Sequence, residues 1–274
     1  MRPEEFGSLE IMLWALHLPV DPPEPQSSPL VSVTAGELPV VITASHGGQS
    51  AVPGVPERTG TDPRTGRKAQ QFETVLDSQT AELSEAISDA FHARTGKRPY
   101  VVIARFARRF IDANRPLEDA LEHASAEPFY KAFHLAVRRS VDHARAKFGG
   151  GRLYDIHGQG SNREVVYRGT RSRLTLKTLL EMHGEAALTG PQGWQTQLES
   201  KGWTFIPTAT DMSRETKFNG GYIVQTYGSH QPGGIDAIQL EFGMNYRRAT
   251  DRKKTAAALV DVTLRWLEIF PIKR

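Results

Sequence analysis

Short apolar runs alternate with longer amphipathic stretches along most of this chain. The apolar runs are rich in β-branched and aromatic residues, and they predict buried strands at 39–45, 100–104, 152–157 and 235–242. Apolar residues recur at helical spacing in 73–95, 128–147 and 254–270, and residues 174–182 are expected to be partly helical. This alternation predicts a three-layer α/β fold, with a mixed, mostly parallel sheet and helices on both faces.

Two segments interrupt the alternation. Residues 19–29 are rich in proline and predict a linker or a surface loop, whereas residues 49–71 combine glycine, proline and charge in a long loop. The apolar segment 11–18 follows glutamates instead of a basic region, so a strand or docking segment is expected there and not a signal peptide. We therefore expect an N-terminal extension over 1–38 and one α/β domain over 39–274.

The composition limits the kinds of functional site that the chain could form. The 274 residues include no cysteine, which excludes disulfides, thiolate nucleophiles and cysteine-ligated zinc and leaves His, Asp and Glu as metal ligands. The net charge of +3 is spread along the chain, and no apolar stretch approaches the roughly 20 residues of a membrane span. A cytoplasmic protein with no nucleic-acid or membrane partner is expected.

Two histidines occur in matching contexts. His46 follows the first predicted strand and precedes two glycines, and His157 ends the third predicted strand before another glycine. Open α/β sheets bind ligands at the carboxyl ends of their strands. We therefore expect the two imidazoles to converge on a metal ion, although each could instead be satisfied by a separate hydrogen bond.

A catalytic metal site of this kind needs a third protein ligand. Asp77 is predicted to open the helix that follows the long loop, and Glu73 is the alternative ligand. A structural interpretation also exists for Asp77, because an acid in the first turn of a helix stabilises that helix.

Glu241 ends the last predicted strand and should reach the same edge of the sheet. A carboxylate at this position suits a general base beside a metal-activated water. The alternative is a salt bridge from Glu241 to Arg247 or Arg248.

Arginines cluster after the second predicted strand, at Arg105, Arg108, Arg109 and Arg115. With Asn114 they could bind a substrate carboxylate and steady an oxyanion, while Asp112 orients one arginine. A structural salt-bridge cluster is the alternative. Tyr227, in the glycine-containing segment 218–230, either hydrogen-bonds substrate or packs in the core.

In this order and spacing the motifs resemble the N-formylglutamate amidohydrolase family, which is related to zinc carboxypeptidases and aspartoacylases. The matching positions are Ser45-His46-Gly47-Gly48, Asp77, Arg108, Asp112, Asn114, Arg115, Asp155-Ile156-His157, Gly220, Gly221, Tyr227, Gly228, Gln239, Glu241 and Tyr246. One departure is Ser45-His46-Gly47-Gly48, where the family commonly has Pro-His-Ser-Gly.

The resemblance implies a zinc-carboxypeptidase-like fold that holds one zinc ion on His46, Asp77 and His157. It implies that Glu241 is the base, that Arg108 polarises the scissile carbonyl, and that a small N-acyl amino acid is the substrate. By the same resemblance Asn114 and Arg115 bind the substrate carboxylate. Arg109 competes with Arg108 for the role at the carbonyl, and Arg109 and Tyr227 are further candidates for binding substrate.

The expected activity is hydrolysis of a linear amide C–N bond, by default that of N-formyl-L-glutamate. Two alternatives stay open. One is a carboxypeptidase-like or peptidoglycan-type amidase with a larger substrate, favoured if the 49–71 loop leaves a groove. The other is a non-catalytic relative that binds an anion.

Overall fold

The computed structural model describes residues 30–211 and 215–272. The strands are β1 Val31–Thr34, β2 Val40–Ala44, β3 Tyr100–Ala104, β4 Arg152–Gly158, β5 Val166–Gly169, β6 Phe205–Ile206 and β7 Asp236–Phe242. The helices are α1 Thr80–Thr95, α2 Leu117–Ala120, α3 Glu127–Phe148, α4 Lys177–His183, α5 Ala186–Thr189, α6 Trp194–Ser200, α7 Tyr222–Tyr227, α8 Met244–Arg247 and α9 Arg252–Ile269. Short 3-10 turns cover Ala124–Ala126 and Leu174–Leu176.

All seven strands form one sheet in the order β1-β3-β2-β4-β7-β5-β6. The inner strands β3, β2, β4 and β7 run parallel to one another. Strands β1 and β5 run antiparallel to β3 and β7, and β6 is parallel to β5. The predicted mixed, mostly parallel sheet is confirmed.

Both faces of the sheet are covered by helices, which explains the continuous apolar runs of the inner strands. Every residue of β2 and β3 is buried. Val41 packs in a core cluster with Phe133 of α3, whereas its neighbour Ile42 packs in a second cluster with Phe91 of α1 and Trp266 of α9. The predicted three layers follow from this alternation.

The helix predicted over 73–95 begins later, at Thr80, so the prediction that Asp77 opens a helix is wrong. Two contacts hold the preceding segment against the strand ends. The Asp77 amide donates to the His46 carbonyl, and the Asp77 carboxylate accepts from the Gly158 amide. These long-range bonds outweigh the helical periodicity, and they leave Val75 65% exposed instead of on a buried helix face.

Residues Val31–Thr34, which we placed in the N-terminal extension, form an edge strand of the sheet. The segments 11–18 and 19–29 lie outside the described residues, so the extension stays a prediction there. Strands β5 and β6 were not predicted, because each is four residues or fewer. The partly helical character predicted for 174–182 is confirmed.

The long loop over 49–71 is fastened near its middle by polar contacts to other parts of the chain. The Arg58 guanidinium donates to the backbone carbonyls of Arg108 and Glu73, and the Glu122 carboxylate accepts from the Thr59 amide. These bonds fix the position of the loop relative to Glu73 and Arg108. Within 30–211 and 215–272, no helix has the length and apolarity required to cross a bilayer.

Candidate metal centre

The candidate site lies at the carboxyl ends of three inner strands. His157 lies opposite Glu241 in the register of β4 and β7, and Asp155 lies opposite Gln239. Because strand side chains alternate in direction, Asp155 and His157 point to the same face. His46 follows β2 by two residues and reaches the same place, with 4.8 Å between the two imidazole centroids.

Three ligand atoms converge there. The Nδ1 atoms of His46 and His157 lie 3.4 and 3.0 Å from Oδ2 of Asp77, and the three side chains offer ligand atoms within 4.8 Å of one another. All three residues are buried. The alternative ligand Glu73 is not in this group, because its Oε1 atom accepts from the amide of Val75.

The far nitrogen of each imidazole faces a buried carboxylate. Nε2 of His46 lies 2.6 Å from Oδ1 of Asp112, and Nε2 of His157 lies 2.9 Å from Oδ2 of Asp155. An ionised carboxylate only accepts hydrogen bonds, so Nε2 of His46 donates to Asp112 and Nδ1 of His46 keeps its lone pair. Both ring nitrogens of His157 face a carboxylate, Asp155 at Nε2 and Asp77 at Nδ1, so a metal ion at Nδ1 would displace a proton there.

The hydrogen-bonding state of His46 shows whether the group fits a metal ion. The Nδ1 atom of His46 is buried and has no hydrogen-bond partner, although Asp77 lies nearby. An imidazole lone pair directed at a carboxylate oxygen is repelled by it unless a cation lies between the two. Two neutral imidazoles and one carboxylate are a donor set that zinc prefers, so the residues fit the metal.

The charges of the group shift its pKa values. Burial alone would raise the pKa of Asp77, but the hydrogen bonds and charges of His157 and His46 hold it below its ordinary value. Burial acts to lower the pKa of His157, and the negative charge of Asp155 outweighs it, so this pKa lies well above its ordinary value. Metal binding at Nδ1 therefore competes with protons.

Glu241 borders the same group. Burial raises the pKa of Glu241 to about 7, against the lowering effect of His157 and with a further contribution from Asp77. Its Oε1 atom accepts from Nε2 of Gln239 at 2.9 Å, and Oε1 of Gln239 accepts from the Gly221 amide at 2.6 Å. The Gln239 amide is thereby oriented to donate to Glu241.

The alternative salt bridge from Glu241 to a nearby arginine does not form among the described residues. Arg247 is buried and donates to the backbone carbonyls of Phe242 and Ser78, and Arg248 pairs with Asp251. The Glu241 carboxylate is therefore directed to the pocket without a cationic side chain of its own.

Arg108 and Asn114 are both held by neighbours. Nε of Arg108 donates to Oδ2 of Asp112 at 2.9 Å, and Oδ1 of Asn114 accepts from the Ile223 amide at 2.9 Å. Asp112 therefore orients an arginine, as expected, and also binds His46. Arg115 donates through one terminal nitrogen to the Asn114 carbonyl, and its Nε atom is buried without a partner.

Two residues that we predicted to bind substrate lie elsewhere. Arg109 is 45% exposed on its side chain and pairs with Glu57 at 2.8 Å. The Tyr227 hydroxyl donates to the backbone carbonyl of His134 and is buried in the core beside α3. The expectation of a four-arginine cluster is corrected too, since Arg105 pairs with Glu85.

A cavity of about 520 Å³ opens over the metal group. It is lined by His46, Gln71, Glu73, Val75, Asp77, Arg108, Asn114, Arg115, His157, Gly158, Gln159, Gly160, Phe218, Asn219, Gly220, Gly221, Gln239 and Glu241. Of the predicted site residues, the cavity therefore brings together all three metal ligands, Glu241, Arg108, Asn114 and Arg115. Of the 49–71 loop, Gln71 reaches this lining.

Sequence reasoning missed the supporting roles of Asp155 and Gln239. Each lies two positions before a functional residue on a buried strand, as Asp155-x-His157 and Gln239-x-Glu241. That spacing puts both members on one face of the sheet, and it is the signal that could have identified them. The segment 218–221, left unassigned, supplies one wall of the cavity.

The fold is similar to that of a crystal structure of N-formylglutamate amidohydrolase from Ralstonia eutropha JMP134. The two share 16% sequence identity over 88% of this chain and 98% of that chain, with a TM-score of 0.58. A crystal structure of the gene product Atu2144 from Agrobacterium tumefaciens shares 16% identity over 88% of this chain and 95% of that chain, with a TM-score of 0.48. No protein-family model matches this sequence, and no curated protein sequence matches it.

Proposed function

We propose that this protein is a metal-dependent amidohydrolase that cleaves the linear amide bond of an N-acyl amino acid. One observation carries the proposal: two imidazole Nδ1 atoms and the Asp77 carboxylate converge in a cavity, beside the buried carboxylate of Glu241. The resemblance to N-formylglutamate amidohydrolases makes N-formyl-L-glutamate the first substrate to test.

His46, Asp77 and His157 would hold one zinc ion per chain. A zinc ion in such a site is a Lewis acid that lowers the pKa of a coordinated water to near 7. Asp112 and Asp155 keep the two imidazoles in the tautomer that presents Nδ1.

Glu241 moves the proton. Its carboxylate takes a proton from the attacking water while the new C–O bond forms at the acyl carbon. The same proton then passes to the amide nitrogen as the C–N bond breaks, which gives a carboxylate and an amine. Burial suits Glu241 to both steps, because it raises the pKa of this carboxyl above its ordinary value and so favours return of the proton.

The arginines and the asparagine bind and orient the substrate. Arg108, fixed by Asp112, presents positive charge to the oxygen that becomes negative during attack on the carbonyl. Arg115 and Asn114, which both line the cavity, bind the substrate carboxylate.

Turnover of N-formyl amino acids by zinc-supplied protein tests this proposal. We expect formate release by the wild type and a loss of kcat of about 10²–10⁴-fold in Glu241→Gln, with zinc content unchanged. Arg109→Gln is the matched control, because Arg109 pairs with Glu57 outside the cavity and its loss should leave kcat near the wild-type value. Near-normal turnover by Glu241→Gln would contradict the role of Glu241.

One observation favours a second candidate, a carboxypeptidase-like or peptidoglycan-type amidase. Gln71 is the contribution of the 49–71 loop to the cavity lining, so this loop leaves the metal group open to a larger acyl group. Comparing N-formyl with N-acetyl and longer N-acyl derivatives of one amino acid separates the two candidates. A non-catalytic anion-binding protein is the third candidate, and it is favoured if the protein binds no stoichiometric metal.

A further inference from the structure

Gly221 leaves room in the cavity for the side-chain amide of Asn114. A Cβ atom added to Gly221 would overlap Nδ2 of Asn114 and lie 2.7 Å from its Cγ and Oδ1 atoms, whereas real Cβ atoms do not approach other atoms within 3.0 Å. The φ of Gly221 is −84°, a value that every residue adopts. What Gly221 supplies is therefore space beside Asn114 and not an unusual backbone conformation.

The Asn114 side chain has little freedom to move away. Asn114 is 3% exposed, its Oδ1 atom accepts from the Ile223 amide at 2.9 Å, and its Nδ2 atom lies 3.2 Å from Nε2 of His157. The backbone amide of Asn114 also donates to Oδ1 of Asp112 at 3.1 Å. A methyl group at position 221 would have to push the Asn114 amide out of one or more of these contacts.

The segment 218–221 is packed on its other side against the sheet. A Cβ atom added to Gly169 of β5 would overlap the carbonyl oxygen of Phe218. Just beyond β5, the Arg171 amide donates to the Asn219 carbonyl at 2.6 Å. The segment therefore has no room to move back, so an added methyl group would be accommodated on the cavity side.

The backbone amide of Gly221 contacts a second functional group. It donates to Oε1 of Gln239 at 2.6 Å, and Nε2 of Gln239 donates to Oε1 of Glu241 at 2.9 Å. Gln239 is 4% exposed and Glu241 is 7% exposed, so few other arrangements of these two side chains are open to them. Gly221 thus touches Asn114 on one side and, through Gln239, the proposed base on the other.

We propose that Gly221 is a positioning residue for both groups. Because it has no side chain it seats the Asn114 amide, and through its N–H it orients Gln239 toward Glu241. This inference rests on the proposed amidohydrolase function, and it adds that one residue without a reactive group sets both substrate binding at Asn114 and the placement of Glu241.

Gly221→Ala tests the first contact. Alanine keeps the N–H that holds Gln239 and adds the methyl group that meets Asn114. For the zinc-supplied protein and N-formyl-L-glutamate we expect KM to rise about tenfold while kcat changes by less than about threefold, because binding is lost and the base keeps its place. An unchanged KM, or a loss confined to kcat, would overturn the inference.

Gly160→Ala is the matched control. Gly160 also lines the cavity, but a Cβ atom there would meet no other atom within 4 Å. It adds the same methyl group to the same cavity without touching Asn114, so KM should stay near the wild-type value. An equal rise in KM in both variants would show that crowding of the cavity is the cause, and it would overturn the inference.

A double variant identifies the group that the methyl displaces. Asn114→Ala removes the amide that a Cβ atom at position 221 would strike. In that background we expect Gly221→Ala to change KM by less than about twofold, since two residues in contact are not additive. A full tenfold effect in the Asn114→Ala background would place the action of the methyl group elsewhere and contradict the inference.

Gln239→Met tests the second contact. Methionine keeps the length of the side chain and removes both the acceptor for the Gly221 amide and the donor to Glu241. We expect kcat to fall about tenfold with little change in KM, the reverse of the pattern in Gly221→Ala. An unchanged kcat would overturn the part of the inference that concerns Glu241.

Unfolding measurements distinguish failure of this inference from failure of the proposed function. If no N-formyl compound is cleaved, the proposed function fails, but urea denaturation still tests the contact with Asn114. We expect Gly221→Ala to lower the urea midpoint in the wild-type background and to leave it nearly unchanged in Asn114→Ala. Equal shifts in the two backgrounds would overturn the inference. If Gly221→Ala does not fold, folding of the double variant supports the inference, and failure of the double variant to fold overturns it.

Discussion

The buried end of the cavity and its mouth are built in different ways. At the buried end, His157 and Glu241 are strand residues, and each is held by a side chain two positions earlier on its own strand, Asp155 or Gln239. The mouth comes from two loop segments, 71–75 and 218–219, whose side chains are largely exposed. The difference teaches that the sheet holds the groups proposed to cleave the bond, whereas loops form the opening of the cavity.

The two regions also depend on different contacts. Strand register positions the buried end, since His157 and Glu241 are paired across β4 and β7. Hydrogen bonds from buried charged side chains position the mouth. Arg58 binds the carbonyl of Glu73, and Glu215 accepts from the hydroxyl of Thr170 and from Nε of Arg168, near the start of the 218–219 segment.

The largest effect should come from removing a metal ligand. Asp77→Asn weakens the one anionic ligand of the group, so we expect loss of bound zinc and a fall in activity of roughly a thousandfold or more. Glu73→Gln is the control, because Glu73 lies at the mouth, and it should keep the zinc. Elemental analysis of both variants checks this, and zinc retention in Asp77→Asn would contradict the ligand assignment.

A second, smaller effect should distinguish Asp112 from Asp155, the two carboxylates that face the Nε2 atoms of the imidazoles. In Asp112→Asn the new amide nitrogen must face Arg108, which has no atom that accepts a hydrogen bond. In Asp155→Asn the new amide nitrogen can donate to the Thr43 hydroxyl. We therefore expect zinc affinity to fall about 10–100-fold in Asp112→Asn and less in Asp155→Asn. Competition with a chelator measures both, and equal losses would contradict the tautomer argument.

The third effect concerns stability. Because the folded state raises the pKa of Glu241 from 4.5 to about 7, it favours the protonated group. The cost of burying this carboxylate therefore grows as pH rises from about 4.5 to 7 and is complete above pH 7. In metal-free protein, Glu241→Gln should raise the free energy of unfolding by about 1–2 kcal/mol at pH 8 and much less at pH 5.

Urea denaturation of wild type and Glu241→Gln at the two pH values measures this difference. Glu164→Gln is a suitable comparison, because Glu164 is exposed and does not line the cavity. A stabilisation of the same size at pH 5 and pH 8 would show that the charge of Glu241 is not its cause.

The smallest effect should come from the mouth. Val75→Thr replaces an exposed methyl group by a hydroxyl of similar size, so stability should change by less than about 0.5 kcal/mol. For N-formyl-L-methionine we expect KM to rise by up to about threefold with kcat unchanged. A large fall in kcat would place Val75 at the reacting centre instead of at the mouth.

The same division explains how much could be predicted from the sequence. His46, His157 and Glu241 each end a short apolar run, so strand periodicity and parallel topology bring them to one edge of the sheet. Asp77 was predicted to be near them for an incorrect reason, since its position comes from bonds to His46 and Gly158 and not from a helix start.

The positions of Arg109 and Tyr227 could not be predicted from the sequence. Residue spacing did not distinguish Arg109 from Arg108, because the choice depends on which arginine meets Asp112 and which meets Glu57. The buried position of Tyr227 depends on the packing of α7 against α3, and this long-range contact leaves no local pattern in the sequence.

Metal content of chelator-free protein tests the central claim most directly. We expect about one zinc per chain in the wild type after zinc is supplied, and none in His46→Ala, because His46 contributes a buried Nδ1 atom that no protein group satisfies. Wild-type protein that binds no zinc, or a His46→Ala variant that retains it, would contradict the metal centre and the amidohydrolase function built on it.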